Sequence, residues 1–251
     1  ASTSQAVVTG SGSNLTTSGL MIIGSSGAGA VNILDGGGVS TSTLSIGGNA
    51  NSTGMLTIDG VGSTMNASGN VFVGNSGTGH LSIAQGGTIV FGQSLFVANA
   101  ATAQGTLQFD IGPAGLSTLS VPATMSIGSD SHLIVTIQPG VVPSIGQTYT
   151  VATASSVNGT FGDAVLPDNA GVAQLSWDIH YSATEVTLEV IGVEHCDVDY
   201  TNDGLLDFSD VIAFLTAFGT MSAEADLAAP FGTFDFSDVV AFLGAFGAGC
   251  P

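Results

Sequence analysis

Apolar residues recur through the first half of the chain at a spacing near 25 residues, and this constrains the fold more than any other feature. Ile33, Ile58, Ile83 and Phe109 each close a short alternating run: AVNI, MLTI, HLSI and TLQF. A second series, Ile23, Ile46, Val73 and Val97, keeps nearly the same spacing. GSGSNLTTSGLMIIG (residues 10–24) returns as GVGSTMNASGNVFVG (residues 60–74), two repeat lengths later. A unit this short, with brief strands and Gly-rich corners, cannot bury its own apolar face and must stack on its neighbours. The predicted fold is therefore mainly β: a right-handed β-solenoid of about four coils over residues 1–112, rising roughly 19 Å at about 4.8 Å per coil. Asp35-Gly36 and Asp59-Gly60 supply turn chemistry at strand ends. A leucine-rich repeat would need a fixed Leu and Asn ladder that this sequence lacks. A β-sandwich remains the competing architecture.

The period fails from about residue 113. GQTYTVATASSVNGTF and LSWDIHYSATEVTLEV still alternate: Trp177, Ile179 and Tyr181 share one face, and Val186, Leu188 and Val190 share another. Residues 113–192 are predicted to continue and cap the solenoid, because a last coil otherwise exposes backbone donors and acceptors.

Charge excludes several function classes. The 251 residues include 19 Asp and Glu but no Lys or Arg, for a net charge of −19. Such a surface repels polyanions, so nucleic acid is not an expected partner. No P-loop lysine, arginine finger or Schiff-base lysine is possible. Charged residues are only 8% and hydrophobic residues 44% of the chain, which favours a packed core over disorder. No apolar run approaches the roughly 20 residues of a spanning helix, so no membrane insertion is expected. Ala1-Ser2-Thr3 reads as a start left after removal of a signal peptide, which points to a secreted protein. Asn14, Asn51, Asn66 and Asn158 sit in Asn-x-Ser/Thr sequences that permit glycan attachment outside the cell.

The C-terminal segment carries different chemistry. Cys196 and Cys250 bracket it. A disulfide between them, in an oxidising compartment, is the expectation, with two free thiols as the alternative. Closing a loop of about fifty residues would contribute roughly 4 kcal/mol in the chain-entropy account. Inside the bracket, DYTNDGLLDFSD (199–210) has the spacing of an EF-hand calcium loop. Asp199, Thr201 and Asp203 take positions 1, 3 and 5, and Gly204 makes the sharp turn. Leu205 offers its carbonyl, Asp207 acts directly or through water, and Asp210 closes the sphere at the start of the helix VIAFLTAFG. Oxygen-only ligands suit a hard cation such as Ca2+.

The segment repeats: LDFSDVIAFLTAFG (206–219) matches FDFSDVVAFLGAFG (234–247). In the second loop Leu227, Ala229 and Phe231 replace Asp199, Thr201 and Asp203. Gly232, Asp235 and Asp238 survive, with Asp226 one place out of register. One calcium site and one degenerate loop are predicted, with Phe231 and Phe234 free to form an apolar contact surface. Phe214, Phe218, Phe242 and Phe246 are read as the core of this helical module.

Two family resemblances follow from these motifs. The coils, with the Y-T-V-x-x-A, G-T-F, W-x-I-x-Y and V-x-L-x-V ending, resemble the passenger β-solenoid of bacterial autotransporters and related secreted surface proteins over roughly residues 5–192. The duplicated loop and helix, ending Gly249-Cys250-Pro251, resemble a type I dockerin over 193–251. The first resemblance implies a bacterial surface or extracellular structural protein. The second implies calcium binding, an all-α module whose cysteine pair clasps its two ends, and docking onto a cohesin-like receptor.

No catalytic constellation is apparent. His80, His132, His180 and His195 have no partner at metal spacing, and there is no G-x-S-x-G, H-E-x-x-H or C-x-x-C. A β-solenoid lyase would need a basic residue. Asp35 and Asp59 fall on adjacent coils but read as turn residues rather than a glycosidase pair. The chain is thus expected to be no enzyme but a secreted spacer with a docking module, joined to itself head to tail as a filament or to a cohesin-like receptor. A dockerin-anchored carbohydrate-active or carbohydrate-binding protein is the alternative.

Overall fold

The computed structural model describes residues 3–167, 175–192, 198–201, 203 and 205–249. The chain divides into two compact units, one comprising 1–170 with 177–191 and the other 171–176 with 192–251.

The first unit is a β-solenoid of about five turns. Its coils contribute β1 (Thr3–Thr9), β2 (Asn14–Thr16) and β3 (Leu20–Ile23); then β4 (Ala28–Leu34), β5 (Gly38–Thr41) and β6 (Thr43–Ile46); then β7 (Thr53–Asp59), β8 (Thr64–Ala67) and β9 (Val71–Val73); then β10 (Thr78–Ala84), β11 (Thr88–Phe91) and β12 (Leu95–Val97). The chain continues through β13 (Gln104–Gly112), β14 (Gly115–Leu116), β15 (Leu119–Ile127), β16 (Ser131–Ile137), β17 (Thr148–Asn158), β18 (Asp163–Val165), β19 (Leu175–Tyr181) and β20 (Glu185–Gly192). Three sheets result, in the orders β1-β4-β7-β10-β13-β16-β18, β2-β5-β8-β11 and β3-β6-β9-β12-β15-β17-β20-β19.

The repeat series of the sequence are the interior columns of this solenoid. Val8, Ile33, Ile58, Ile83, Phe109 and Val135 lie in register on successive strands of the first sheet. Ile23, Ile46, Val73, Val97 and Ile127 do the same on the third. Leu15, Val39, Met65 and Ile89 form the column of the second. Side chains alternate in and out along the strands, so every second residue joins a column and the residues between them point outward, with Ser45 on β6 buried as well. Each methylene thus withdrawn from water contributes about 0.8 kcal/mol.

The Gly-rich corners have a steric cause. Gly24, Gly47 and Gly74 follow the strands of the third sheet at φ +74°, +68° and +74°. A Cβ on Gly47 would stand 2.3 Å from the Thr78 carbonyl of the next coil. Backbone stacks on backbone there, and only a residue without a side chain fits in that conformation.

Parallel stacking outlasts the period. β13 pairs with β16 and β15 with β17 in parallel, although their spacing no longer matches the first coils. The solenoid therefore runs about one turn beyond the four coils predicted. Antiparallel pairing of β17 with β20 then ends the parallel stacking of the third sheet, whose last strand is β19. Val186, Leu188 and Val190 are buried on one face of β20, as their alternation predicts.

The second unit is built on two helices, α1 (Phe208–Gly219) and α2 (Phe236–Ala248). Both begin at an Asp N-cap, Asp207 or Asp235, with Asp210 or Asp238 completing a capping box. Phe214 and Phe242, equivalent in the repeat, are buried and stack at 4.1 Å with 2° between ring planes. Tyr200 meets both rings edge-on, at 5.5 and 5.7 Å. Phe218, Phe234 and Phe246 pack against this cluster, so the phenylalanines read as core do form it.

Candidate functional site

The loop before α1 brings Asp199 and Asp210 together at Thr201. Asp210 is fully buried and Asp199 nearly so. Asp210 Oδ1 accepts from the Thr201 N–H at 3.0 Å and from its hydroxyl at 2.9 Å. Its Oδ2 accepts from the Asp207 N–H at 2.9 Å. Asp199 Oδ1 accepts from the Asp203 N–H at 3.3 Å and lies 3.4 Å from the Thr201 hydroxyl. Burial pushes the Asp210 carboxyl up, but the hydrogen bonds it accepts from the Asp207 N–H, the Thr201 N–H and the Thr201 hydroxyl outweigh it and hold the group below its ordinary value.

The remaining loop residues turn elsewhere. Asp203 is exposed, and its carboxylate accepts from the Leu205 N–H at 2.9 Å. The Asp207 carboxylate caps α1 by accepting from the Ser209 N–H at 2.7 Å. Asp199, Thr201 and Asp210 therefore meet, whereas the carboxylates of Asp203 and Asp207 bond within their own turns. Gly204 lies outside the described residues, as do Cys196, Cys250 and His195. Among the described residues, no group of three or more His, Cys, Asp or Glu side chains is drawn close enough to hold a metal ion.

The donor set still suits a hard cation. Two carboxylates are withdrawn from water in one short loop, in a chain without Lys or Arg. Such burial is costly unless opposite charge or many hydrogen-bond donors compensate it. Of the expected ligands Asp199, Thr201, Asp203, Asp207, Asp210 and the Leu205 carbonyl, the structure brings Asp199, Thr201 and Asp210 together.

The loop before α2 surrounds its buried carboxylate with backbone donors. Asp238, also fully buried, accepts from the backbone N–H groups of Leu227, Ala228 and Asp235 at 2.9, 2.8 and 2.9 Å. The Asp235 N–H above all holds its carboxyl below the ordinary value, against burial, with Ala228 and Leu227 assisting. Asp226 Oδ2 accepts from the Gly232 N–H, and Asp235 caps α2 through the Ser237 N–H. Backbone donors stand where the first loop has the Thr201 hydroxyl.

One feature of this unit was missed in the sequence. Phe208, Ile212 and Leu215 on α1 are 74, 53 and 52% exposed, and their repeat equivalents Phe236, Val240 and Leu243 on α2 are 76, 53 and 54% exposed. Spacings of four and three residues set each trio on one helix face. The repeat offset held the signal, but a helix apolar on several faces does not reveal which face is covered. Phe231 is also exposed, at 75%, while Phe234 packs inward.

The other sequence candidates are scattered. Asp35 accepts from the Thr9 hydroxyl at 3.1 Å, and Asp59 pairs in register with Leu34 rather than with Asp35. His80 lies on the outer side of β10, its pKa lowered by burial against a hydrogen bond to the Gln108 side chain that raises it. His132 approaches Asp163 at 3.5 Å and His180 approaches Glu189 at 2.9 Å. A cavity of about 370 Å³ beside β14 contains Asp110. That carboxylate is engaged by the Gln85 N–H at 3.0 Å and the Gln138 amide at 2.5 Å. Asn14, Asn51, Asn66 and Asn158 are all exposed. No described helix is long and apolar enough to cross a membrane. Compared with known proteins, the chain matches no family model and no curated sequence.

Proposed function

We propose that the chain is a secreted structural protein of a bacterial surface, a rigid β-solenoid spacer coupled to its surroundings by a calcium-binding, dockerin-like C-terminal unit. The observation that carries this reading is the duplicated apolar trio: six large side chains left in water at equivalent places on two helices. Patches of this kind mark contact surfaces. The partner is a cohesin-like receptor or a further copy of the chain in a head-to-tail filament. Calcium at the first loop would organise the start of α1 and so present one of the two trios. The enzymatic alternative has less support, because the carboxylates of Asp35 and Asp110 are engaged in hydrogen bonds.

The test uses the full chain against surface extract and against itself, with calcium and with chelator. Wild type is expected to engage one partner in a calcium-dependent way, and Phe208→Ser with Phe236→Ser to lose it. Binding unchanged in that double variant, or turnover of a polysaccharide by the purified chain, contradicts the reading.

A further inference from the structure

After β13 the solenoid breaks the corner that its earlier coils share. In those coils a first-sheet strand passes through a turn into a second-sheet strand: β4 to β5, β7 to β8 and β10 to β11. After β13 the chain turns back instead. β14 pairs antiparallel with β13, Ile111 with Leu116 and Gly112 with Gly115, and Gly115 takes φ +96° at the turn. This hairpin stands off the path of the first sheet and helps to wall the cavity of about 370 Å³. Insertions into a repeat often carry a solenoid's binding face, and the volume falls in the range of small-molecule sites.

The polar groups of the cavity are Asp110, Gln85, Gln138 and Ser117. Asp110 accepts from the Gln85 N–H at 3.0 Å and from the Gln138 amide at 2.5 Å, on different oxygens. An ionised carboxylate has about four acceptor sites, so each oxygen keeps room for a further donor. A Cβ on Gly112 would stand 3.0 Å from Gln138 Nε2, so the bare backbone there lets the amide lie against the hairpin. Val61 and Leu116 add apolar surface, Val61 being 85% exposed at its corner.

Charge and composition select the ligand. Asp110 is the one ionisable side chain in the lining, so an anion is repelled. No aromatic ring lines the cavity. That removes the cage a quaternary ammonium would use and a stacking face for a sugar ring. A primary ammonium needs acceptors alone, and its bonds to a carboxylate are charge-assisted.

We propose that this cavity binds a primary ammonium carried on a short apolar stem. The head donates to Asp110, with the Gln138 carbonyl and the Ser117 hydroxyl as further acceptors, and the stem rests on Val61 and Leu116. No Lys side chain of this chain can supply the group. It comes from a free alkylamine or from a lysine of another protein. The site needs neither calcium nor the helical unit, so it stands or falls apart from the docking reading.

Amide NMR spectra of the full chain titrated with n-butylammonium test it. A Kd of about 1 mM is expected for so small a ligand. Amides of Gln85, Gly86, Gly115 and Ser117 should shift while those of β6 and β9 stay in place. n-Butanol and butyrate should bind roughly tenfold more weakly or not at all. Asp110→Asn keeps the size of the side chain and removes its charge, and is expected to weaken butylammonium roughly tenfold or more. Val61→Ser changes an exposed side chain and should weaken it about threefold through lost apolar contact. A capped Gly-Lys-Gly peptide that binds as well as butylammonium marks a partner's lysine as the occupant, and a much weaker peptide marks a free amine. Absence of shifts at about 20 mM, some twentyfold above the expected Kd, would overturn the proposal. So would equal binding of n-butanol, shifts spread alike over all the acidic residues, or a folded Asp110→Asn chain that binds as wild type does.

Discussion

Asp210 and Asp238 occupy the same place in a duplicated segment and face different partners. Asp238 is held by three backbone N–H groups, whereas Asp210 shares the Thr201 hydroxyl and N–H with the loop that also buries Asp199. The distinction gives a pH prediction. The folded pKa of Asp238 lies below its ordinary value, so its contribution is full above the unfolded carboxylate pKa of about 3.9. It is lost as pH falls through the lower folded value, because protonation then removes the acceptor. Asp238→Asn cannot titrate. The helical signal of the variant, followed by circular dichroism on heating, should start weaker than wild type at neutral pH. It should then change less between about pH 5 and pH 2. Parallel pH profiles would show that the three N–H groups do not act through the ionised form.

The helices depend on a very small core. Phe242 and Phe214 are the large buried side chains of the second unit, joined by Val198 and Ala225. Phe242→Ala removes a stacked ring and should cost about 3–5 kcal/mol, enough to unfold so small a unit. The helical signal should disappear while hydrogen exchange at Ile33, Ile58 and Ile83 stays slow, since those residues stack within the other unit. Loss of protection in both parts would mean that they fold as one. The strands of the solenoid were legible because a column needs one apolar residue per coil at a fixed spacing, and Ile58 and Ile83 declare that spacing directly. The stretch from β13 to β17 was legible as a continuation of the solenoid but not by its period, because its spacing lengthens while the parallel pairing persists. The helices were legible from the capping Asp residues and the run of apolar positions. Their exposed trios were not, because Phe208 and Phe214 look alike in sequence and only packing separates them.

Across the whole molecule, the absence of basic residues sets what can bind what. No salt bridge to Lys or Arg can form within the chain or between copies. Neutral contact, backbone pairing and bound cations are what remain. In the proposed reading, the acidic loop before α1 is the place for the third. Two buried carboxylates, Asp199 and Asp210, in one loop of a chain without Lys or Arg are what favour a bound cation in the proposed reading. Calorimetric titration of calcium into the full chain tests it most directly. The account predicts one site, lost in Asp203→Ala and nearly unchanged in Asp238→Ala. No binding heat, or two equivalent sites that survive Asp203→Ala, would contradict it.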